Sequence, residues 1–459
     1  MQTRLSRAAL MLGLTAVALP LRDAHASGFA LREDSAVYGG YADAGAAASA
    51  DSLATITDNP AGMTYFNGTF ASAGATLIDP VTSISVTSAN STAVPGGPSY
   101  PIQGDSGRGP TIAKVIPANY FLFSPTDNLR LGLGVTVPFG LITSYSDNSL
   151  VRYSALESEI ESLDINPSIA YKVNDWLSIG GGLSIQKDKA KLTNAVDFGT
   201  LIPQQLFQRG LLTANQLNAA LATGSGQLVN DGRADLVGTS WGVGWDAGII
   251  IEPVAGTKLG LSYRSGINQQ IQGRANFAVP TQYQALVNAV GAFQDTQAKA
   301  DLSLPGNVWA GITQEINSQL TLDLSYQWTE WSRFKAIRVD FTNPNQPPVI
   351  SPENYQNSSF VAVGGSYKWD DQLTLRAGFA YDQTPTTDAS RDYRLPDSDR
   401  YWLSTGASYR LTDDITISGS YTHIFFASNN VDHTGLFDTV TATTNAEADL
   451  VSADAVMKF

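Results

Sequence analysis

The chain has 459 residues, of which 43% are hydrophobic, 10% aromatic and 15% charged, and its mean hydropathy is -0.08. Its formal net charge of -14 argues against nucleic-acid binding, because phosphate recognition requires an excess of lysine and arginine. The absence of cysteine excludes disulfides, thiolate metal ligands and a lipid anchor on an N-terminal cysteine. The sequence also contains no metal-ligand cluster and no phosphate-binding glycine loop, so we expect neither a metal nor a cofactor.

Residues 1–26 have the pattern of a secretory signal peptide. Arg4 and Arg7 precede an apolar run, Ala8–Leu21, and Ala24-His25-Ala26 is a small-residue cleavage pattern. A retained membrane anchor is the alternative, but the run is shorter than the ~20 residues that a helical span needs. We expect an exported chain that begins at Ser27.

Residues 27–66 are rich in alanine and glycine and show little strand alternation. They could form a disordered tail or a compact plug, which we call the hatch. If the rest of the chain builds a wide barrel, its lumen needs filling, and this favours a hatch inserted from the periplasm.

Within residues 67–459, segments from about residue 115 to the end alternate apolar and polar side chains with a period of two. In one such segment, Leu131, Leu133 and Val135 share a face, and Arg130 and Gly132 share the other. The apolar faces run for about ten residues without a charge and tend to end in Tyr or Trp, as in strands that cross a bilayer. A soluble β-sandwich also alternates, but the opposite faces here are rich in Gly and Ser with single charges, which suits a lumen.

Connections of two lengths join the alternating segments. Six short turns fall at 125–128, 174–175, 252–257, 317–319, 370–372 and 412–414. Seven long connections fall at 80–115, 143–159, 193–236, 276–302, 343–356, 383–399 and 426–445. This predicts an all-β fold, a 14-stranded antiparallel transmembrane β-barrel with both barrel ends on the periplasmic side. The first strand, near Thr69–Asp79, alternates least, and the terminal Phe459 resembles an outer-membrane assembly signal.

Two of the long connections contain apolar helical patterns, the first with Thr213 and Gln216 at capping-box spacing. Their apolar residues are Leu206, Phe207, Leu211, Leu212, Leu217, Ala220 and Leu221, and then Tyr283, Leu286, Val287, Val290 and Phe293. Apolar helices that face water need a cover, so they pack on each other or form a groove for an apolar ligand. We favour an extracellular groove.

Five segments, in order along the mature chain, resemble the long-chain fatty acid transporter (FadL) family of outer-membrane proteins. They are Ser27–Leu31, Asn59–Met63, Val137–Leu141, Trp331–Ala336 and Pro396–Ser404. The resemblance implies passive uptake of long-chain fatty acids, or of aromatic or aliphatic hydrocarbons, across a Gram-negative outer membrane. It implies a monomer whose ligand passes from an outer groove to a lumen site near the hatch and leaves sideways through a kinked strand.

The lumen site that the resemblance implies contains Phe29 from the hatch and Trp331, Arg333 and Lys335 from the ninth strand. Alternation from Thr321 places the last three on the lumen face. Lys335 matches a family lysine that pairs with a fatty acid headgroup, and the alternative is an ion pair with Asp323 or Asp382. A second family headgroup residue, an arginine, has no counterpart near Asn194.

The kinked strand is predicted at Pro138-Phe139-Gly140. Pro138 cannot donate a ladder hydrogen bond, and Gly140 permits an unusual backbone angle. We expect a gap in the wall here, and the resemblance implies that Asn59, Pro60 and Ala61 of the hatch pack against it. A harmless bulge is the alternative.

Charged and titratable residues outside these sites suggest no catalysis. Lys187, Lys189 and Lys191 continue an outward register and are expected to contact lipopolysaccharide phosphates. His423 and His433, the histidines of the mature chain, have no obvious catalytic partner, so we expect a non-enzyme. An aqueous porin is the remaining alternative, against which the hatch and the apolar outer helices argue.

Overall fold

The computed structural model describes residues 28–92, 98–106, 112–435 and 438–459; the predicted signal peptide lies outside these residues. Fourteen strands, β1 to β14, form one sheet, and β3, β7, β8 and β9 are each interrupted. Their bounds in order are Thr69–Thr92, Lys114–Phe123, Leu129–Thr136 with Gly140–Ser144, Glu157–Asn174, Leu177–Asp197, Asp231–Val254, Thr257–Arg264 with Ile267–Ala278, Thr296–Leu304 with Asn307–Glu315, Leu320–Thr329 with Ala336–Phe341, Ser358–Lys368, Leu373–Asp382, Arg400–Arg410, Ile415–Phe426 and Asp438–Lys458. Short strands at Ser99–Pro101, Val349–Pro352 and Asn429–Thr434 extend the outer rim.

Each strand pairs antiparallel with the next, and β14 pairs with β1 over Phe70↔Lys458 to Ser91↔Asp438, which closes the barrel. The prediction of fourteen strands is confirmed, and the six short turns fall where the sequence places them. The strands are longer than predicted at the outer rim: β1 continues to Thr92 through much of the expected 80–115 connection. Among the described residues, no helix is both long and apolar enough to cross a membrane.

The two faces of the wall differ as the alternation requires. The outward face exposes large apolar side chains, including Leu131, Leu183, Val243, Leu261, Val363 and Val451. The inward face buries polar groups that bond to one another: Arg264 forms an ion pair with Asp164 at 2.6 Å, and Asn166 donates to Asp246 at 2.6 Å. Buried polar groups without such partners would cost several kcal/mol, so these bonds allow polar side chains to lie inside the barrel beside the apolar cluster of hatch and wall residues.

The hatch fills the lumen. It contains two short helices, α1 (Ala36–Gly39) and α2 (Thr55–Asp58), followed by a 3-10 helix at Pro60–Tyr65. It bonds to different sides of the wall: Ser325 of β9 donates to the Ala44 carbonyl at 2.5 Å, and Thr64 donates to Ser178 of β5 at 2.7 Å. The interpretation of this segment as a disordered tail is therefore wrong.

Gly180 of β5 lies directly against the backbone of the hatch. A Cβ at this position would lie 2.5 Å from the Pro60 carbonyl carbon, so any larger side chain must displace backbone. We expect Gly180→Val to destabilise the seated hatch by about 1–3 kcal/mol, the usual cost of overpacking. The measurement is protease access to the hatch in folded barrels. Gly181→Val is the matched control, because Gly181 alternates to the outward face; equal access in both variants would contradict the prediction.

The outer end of the barrel has three helices, α3 (Phe198–Gln208), α4 (Ala214–Gly224) and α5 (Thr281–Val290). Thr213 and Gln216 form the predicted capping box of α4. Phe198 of α3 stacks on Tyr283 of α5 with ring centroids 5.9 Å apart, which joins the two outer connections.

Candidate functional site

The wall is open between β2 and β3. β3 pairs with β2 only over Leu131–Val135, and after the interruption at Val137–Phe139 its second segment pairs with β4 alone. Lys114–Ala118 of β2 therefore have ladder partners only on β1 among the described residues. The predicted interruption at Pro138 leaves two unpaired strand edges that face each other across a gap.

The beginning of the hatch lies along one of these edges. The Leu31 amide donates to the Pro138 carbonyl at 2.9 Å, and the Gly140 amide donates to the Phe29 carbonyl at 3.0 Å. Ala30 forms an isolated antiparallel bridge with Phe139. This segment replaces part of the pairing that β2 leaves unmade, and it brings Phe29 to the gap.

Phe29 is the centre of an aromatic cluster. Its ring lies 4.7 Å from Trp331, 5.6 Å from Phe334 and 6.0 Å from Phe139, all in edge-on arrangements. Edge-on contacts of this kind stabilise aromatic pairs beyond simple burial. The cluster is almost completely buried, with Phe29 3% exposed and Trp331 0%.

A cavity of about 600 Å³ runs from this cluster through the gap to the membrane-facing surface. Its walls include, from the lumen outward, Phe29, Leu395, Ile116, Leu141, Leu163 and Thr239. Leu163 and Thr239 belong to the outward register of β4 and β6, so the cavity crosses the wall. Its volume and largely apolar lining are typical of sites that enclose a small hydrophobic molecule.

Charged side chains surround the outer mouth of the cavity. Lys114 of β2 lies 3.7 Å from both Glu159 and Glu161 of β4, and Lys189 of β5 lies 3.2 Å from each. Lys187 also lines the mouth, with its ammonium 5.8 Å from the ring of Trp241. These groups ring an apolar passage with charge at its membrane-facing end.

Comparison with known proteins assigns the chain to a protein family. Residues 17–459 match the family model described as outer membrane protein transport protein (OMPP1/FadL/TodX). The chain belongs to this family. It is 30% identical over 422 residues to the long-chain fatty acid transport protein of Escherichia coli (strain K12), covering 89% of this chain and 90% of that one. It is also 30% identical over 429 residues to outer membrane protein P1 of Haemophilus influenzae, with 89% and 88% covered.

Solved structures agree on the fold. A FadL homologue from Pseudomonas aeruginosa superposes with a TM-score of 0.84 at 24% identity and covers 94% of this chain and 100% of its own. The toluene transporter TodX of Pseudomonas putida gives 0.64 at 17% identity, with 88% and 93% covered. Like the other members of this OMPP1/FadL/TodX family, the chain is an outer-membrane protein.

In this family member, the hatch is anchored to the wall by buried charges. Arg32 pairs with Asp382 of β11 at 3.2 Å, and its guanidinium lies 4.2 Å from the ring centre of Phe360. Arg400 of β12 bonds to the Gly28 carbonyl at 2.9 Å and to Asp397 at 2.9 Å, while the Gly28 amide donates to Asp397 at 3.0 Å.

Beside this anchor lies a cavity of about 80 Å³, whose lining residues include three hatch carboxylates, Arg32 and Arg264. Burial, with Glu33 nearby, raises the pKa of Asp34 to about 7. Burial, reinforced by Asp34, also raises the pKa values of Asp43 and Asp58. Among the described residues, no group of three potential ligands is arranged to hold a metal.

Two residues predicted for the lumen site lie elsewhere. The inward register of β9 holds from Asp323 to Trp331, but a 3-10 turn at Trp331–Arg333 breaks it and buries Phe334 instead. Lys335 is exposed and does not line the cavity, so the alternative ion pairs with Asp323 and Asp382 are wrong, and its role as a headgroup ligand stays a prediction. Arg333 pairs with Glu330 at 3.6 Å and bonds to Asn268, also outside the cavity.

The expected partner of the kink is also corrected. Asn59, Pro60 and Ala61 lie against β5 and β6: the Asn59 amide donates to the Ala47 carbonyl at 2.7 Å and to Ile249 of β6 at 3.3 Å. Residues 28–31 contact the kink in their place. Gly140 has no left-handed backbone angle; a Cβ there would lie 2.7 Å from the Cδ1 of Leu31, so that side chain would have to turn away.

The residues predicted for the extracellular groove do not form one surface. Leu217 is buried against Leu221, and Phe293 packs on Phe198 at 5.1 Å. At the outer end, Leu206, Leu212 and Val290 are half-buried, and Leu211 is 66% exposed. Phe207 and Leu286 are also exposed, at 40% and 42%. The groove remains a proposal.

The outward polar residues have partners that the sequence did not suggest. Lys189 and Lys191 are paired with glutamates, Lys191 with Glu157 at 2.5 Å. His423 lies 2.7 Å from Asp449, to which Tyr421 also donates, so the expectation of no partner is wrong. The residue opposite His423 on β12 is Leu403, which is no nucleophile.

Sequence analysis missed the inward fold of the connection 383–399. Tyr393 is fully buried, Leu395 lines the cavity, and Asp397 holds the hatch. The resemblance marked Pro396–Ser404 but assigned it no role. No local signal marks this inward fold, because charges, Pro and Asp are common in solvent-facing loops.

Proposed function

We propose that this protein takes up hydrophobic compounds, above all long-chain fatty acids, across the outer membrane by passive diffusion. The observation that supports this most is the apolar cavity, which connects the Phe29 cluster to the membrane-facing surface through the gap in the wall. A greasy molecule that leaves through this gap enters lipid directly and avoids the water of the periplasm.

The relatives support the substrate class. The curated relatives include long-chain fatty acid transport proteins, and the similar structures include toluene transporters. Fatty acids are favoured over neutral hydrocarbons because charged side chains surround the outer mouth, where a carboxylate would otherwise lose its hydration. Uptake of aromatic or aliphatic hydrocarbons is the second candidate. We also propose that the exposed Phe207, Leu211 and Leu286 provide the first apolar contact outside the cell.

The test is Phe29→Ala. Removing the ring deletes contacts with Trp331, Phe334 and Phe139 and leaves the inner end of the cavity without its anchor. We expect affinity for a long-chain fatty acid to fall by roughly tenfold, which corresponds to about 1.4 kcal/mol of lost contact with the ligand. Binding is measured on folded protein by calorimetry.

Phe277→Ala is the control, because Phe277 belongs to a separate aromatic cluster with Phe293 and Phe341 and does not line the cavity. Equal losses in both variants would place the ligand elsewhere.

A planar-bilayer recording tests the alternative of an aqueous porin. A lumen filled by the hatch should pass almost no ions, and a large steady conductance would favour an aqueous pore.

A further inference from the structure

We propose that Lys187 binds the carboxylate of an anionic amphiphile at the membrane-facing end of the cavity. This inference rests on the proposed function and adds to it the residue that recognises the headgroup at the exit. The argument begins with the position of Lys187 on β5. Gln186 and Asp188 on either side are buried, whereas Lys187 is exposed on the outward face and lines the cavity mouth.

Most charges at the mouth neutralise one another. Glu159 and Glu161 each accept contacts from Lys114 and from Lys189, so four charges on β2, β4 and β5 form a balanced cluster. Glu447 of β14 also lines the cavity but makes no ion pair within 4.0 Å among the described residues. Within the same residues, no carboxylate lies within that distance of the Lys187 ammonium. Lys187 is therefore the cation at the mouth that is open to a carboxylate.

The surroundings of Lys187 suit the headgroup of an amphiphile. Its ammonium lies 5.8 Å from the ring centre of Trp241, which is 61% exposed on the outward face of β6. Exposed tryptophans on a barrel wall lie at the level where lipid tails meet headgroups. Leu163, beside Lys187 across the β4–β5 ladder, continues the apolar lining of the cavity up to the charge.

This arrangement lowers the energetic cost of moving a charged headgroup sideways through the wall. A neutral hydrocarbon can slide from the cavity into lipid, but an unpaired carboxylate in an apolar passage costs several kcal/mol. A cation at the interface keeps the headgroup paired while the tail moves into the bilayer. Lys187 thus selects for amphiphiles with an anionic headgroup and positions their carboxylate at the mouth.

The experiment compares palmitate with hexadecanol, which has the same chain length and no charge. Binding of both to the purified full-length mature protein is measured for the wild type, Lys187→Met and Lys187→Arg. We expect Lys187→Met to weaken palmitate binding by roughly tenfold or more, as for one lost charge-assisted hydrogen bond, and to leave hexadecanol binding unchanged. Lys187→Arg should keep palmitate binding within a few-fold of wild type.

Lys299→Met is the matched control, an exposed outward lysine of β8 that does not line this cavity. Heat-modifiable migration verifies that each barrel is folded. Equal weakening of both ligands, no weakening, or the same palmitate loss in Lys299→Met would overturn the inference. So would an effect that appears only in vesicles containing lipopolysaccharide, because Lys187 would then serve that lipid's phosphates. If wild-type protein binds neither ligand, the proposed function itself fails.

Discussion

A protein with Pro138→Thr and Gly140→Val is expected to fold into an intact barrel and to lose most of its uptake of long-chain substrates. Threonine restores the amide that Pro138 lacks, so β3 can continue its ladder along β2 toward Lys114. Valine at 140 would add a side chain to the lining of the cavity, with its Cβ 2.7 Å from the Cδ1 of Leu31, and would force the Leu31 side chain to turn within the gap. Both changes close the passage.

The expected uptake is lower by roughly tenfold, which corresponds to about 1.4 kcal/mol added to the exit barrier. Pro167→Thr is the matched control, because Pro167 lies in neighbouring β4, which continues without a break. The measurement is the uptake of a labelled long-chain fatty acid by cells in which this protein is the only transporter of such fatty acids. A crystal structure of the double variant verifies the wall, and a closed wall with normal uptake would exclude lateral exit.

A proline in the sequence predicts a break in a strand, but other prolines of this barrel show that a proline alone is not sufficient for one. Pro80, Pro117 and Pro167 lie inside β1, β2 and β4, and these strands continue through them. At Pro138 the break persists because residues 28–31 supply hydrogen bonds to the freed backbone. Such a contact joins positions about a hundred residues apart, and no local pattern contains it. The predicted fourteen strands, in contrast, followed from alternation and turn length alone.

The residues of the candidate site were likewise predicted only in part. Phe29 and Trp331 lie together as predicted, because hatch insertion and the register of β9 fix them. Lys335 was misplaced because the 3-10 turn at Trp331–Arg333 interrupts the alternation, so that Phe334 is buried and Lys335 is exposed. The glutamates at the mouth were not identified, since their role appears only when Lys114 crosses the gap to meet them.

The second large effect is expected at the anchor of the hatch. Asp382 is fully buried on β11 and pairs with Arg32 at 3.2 Å and with Arg400 at 3.9 Å. Asp382→Ala leaves two arginines near each other without this carboxylate. Breaking a buried pair on one side costs about 3–5 kcal/mol, so we expect a large loss of stability. Because Arg32 belongs to the hatch, the loss should appear first as hatch displacement rather than as unfolding of the wall.

The absence of cysteine from the chain allows a direct measurement. A single thiol from Ala46→Cys, at a hatch position 3% exposed, should react slowly with a polar maleimide in the parent and much faster with Asp382→Ala added. Asp231→Ala is the control: it breaks the pair between Asp231, at the outer start of β6, and the buried Arg152, at 2.6 Å, and leaves the hatch untouched. Faster labelling in both variants would mean general loosening. Faster labelling with Asp382→Ala alone would identify Asp382, which pairs with both Arg32 and Arg400, as the group that keeps the hatch, and with it Phe29, in the lumen.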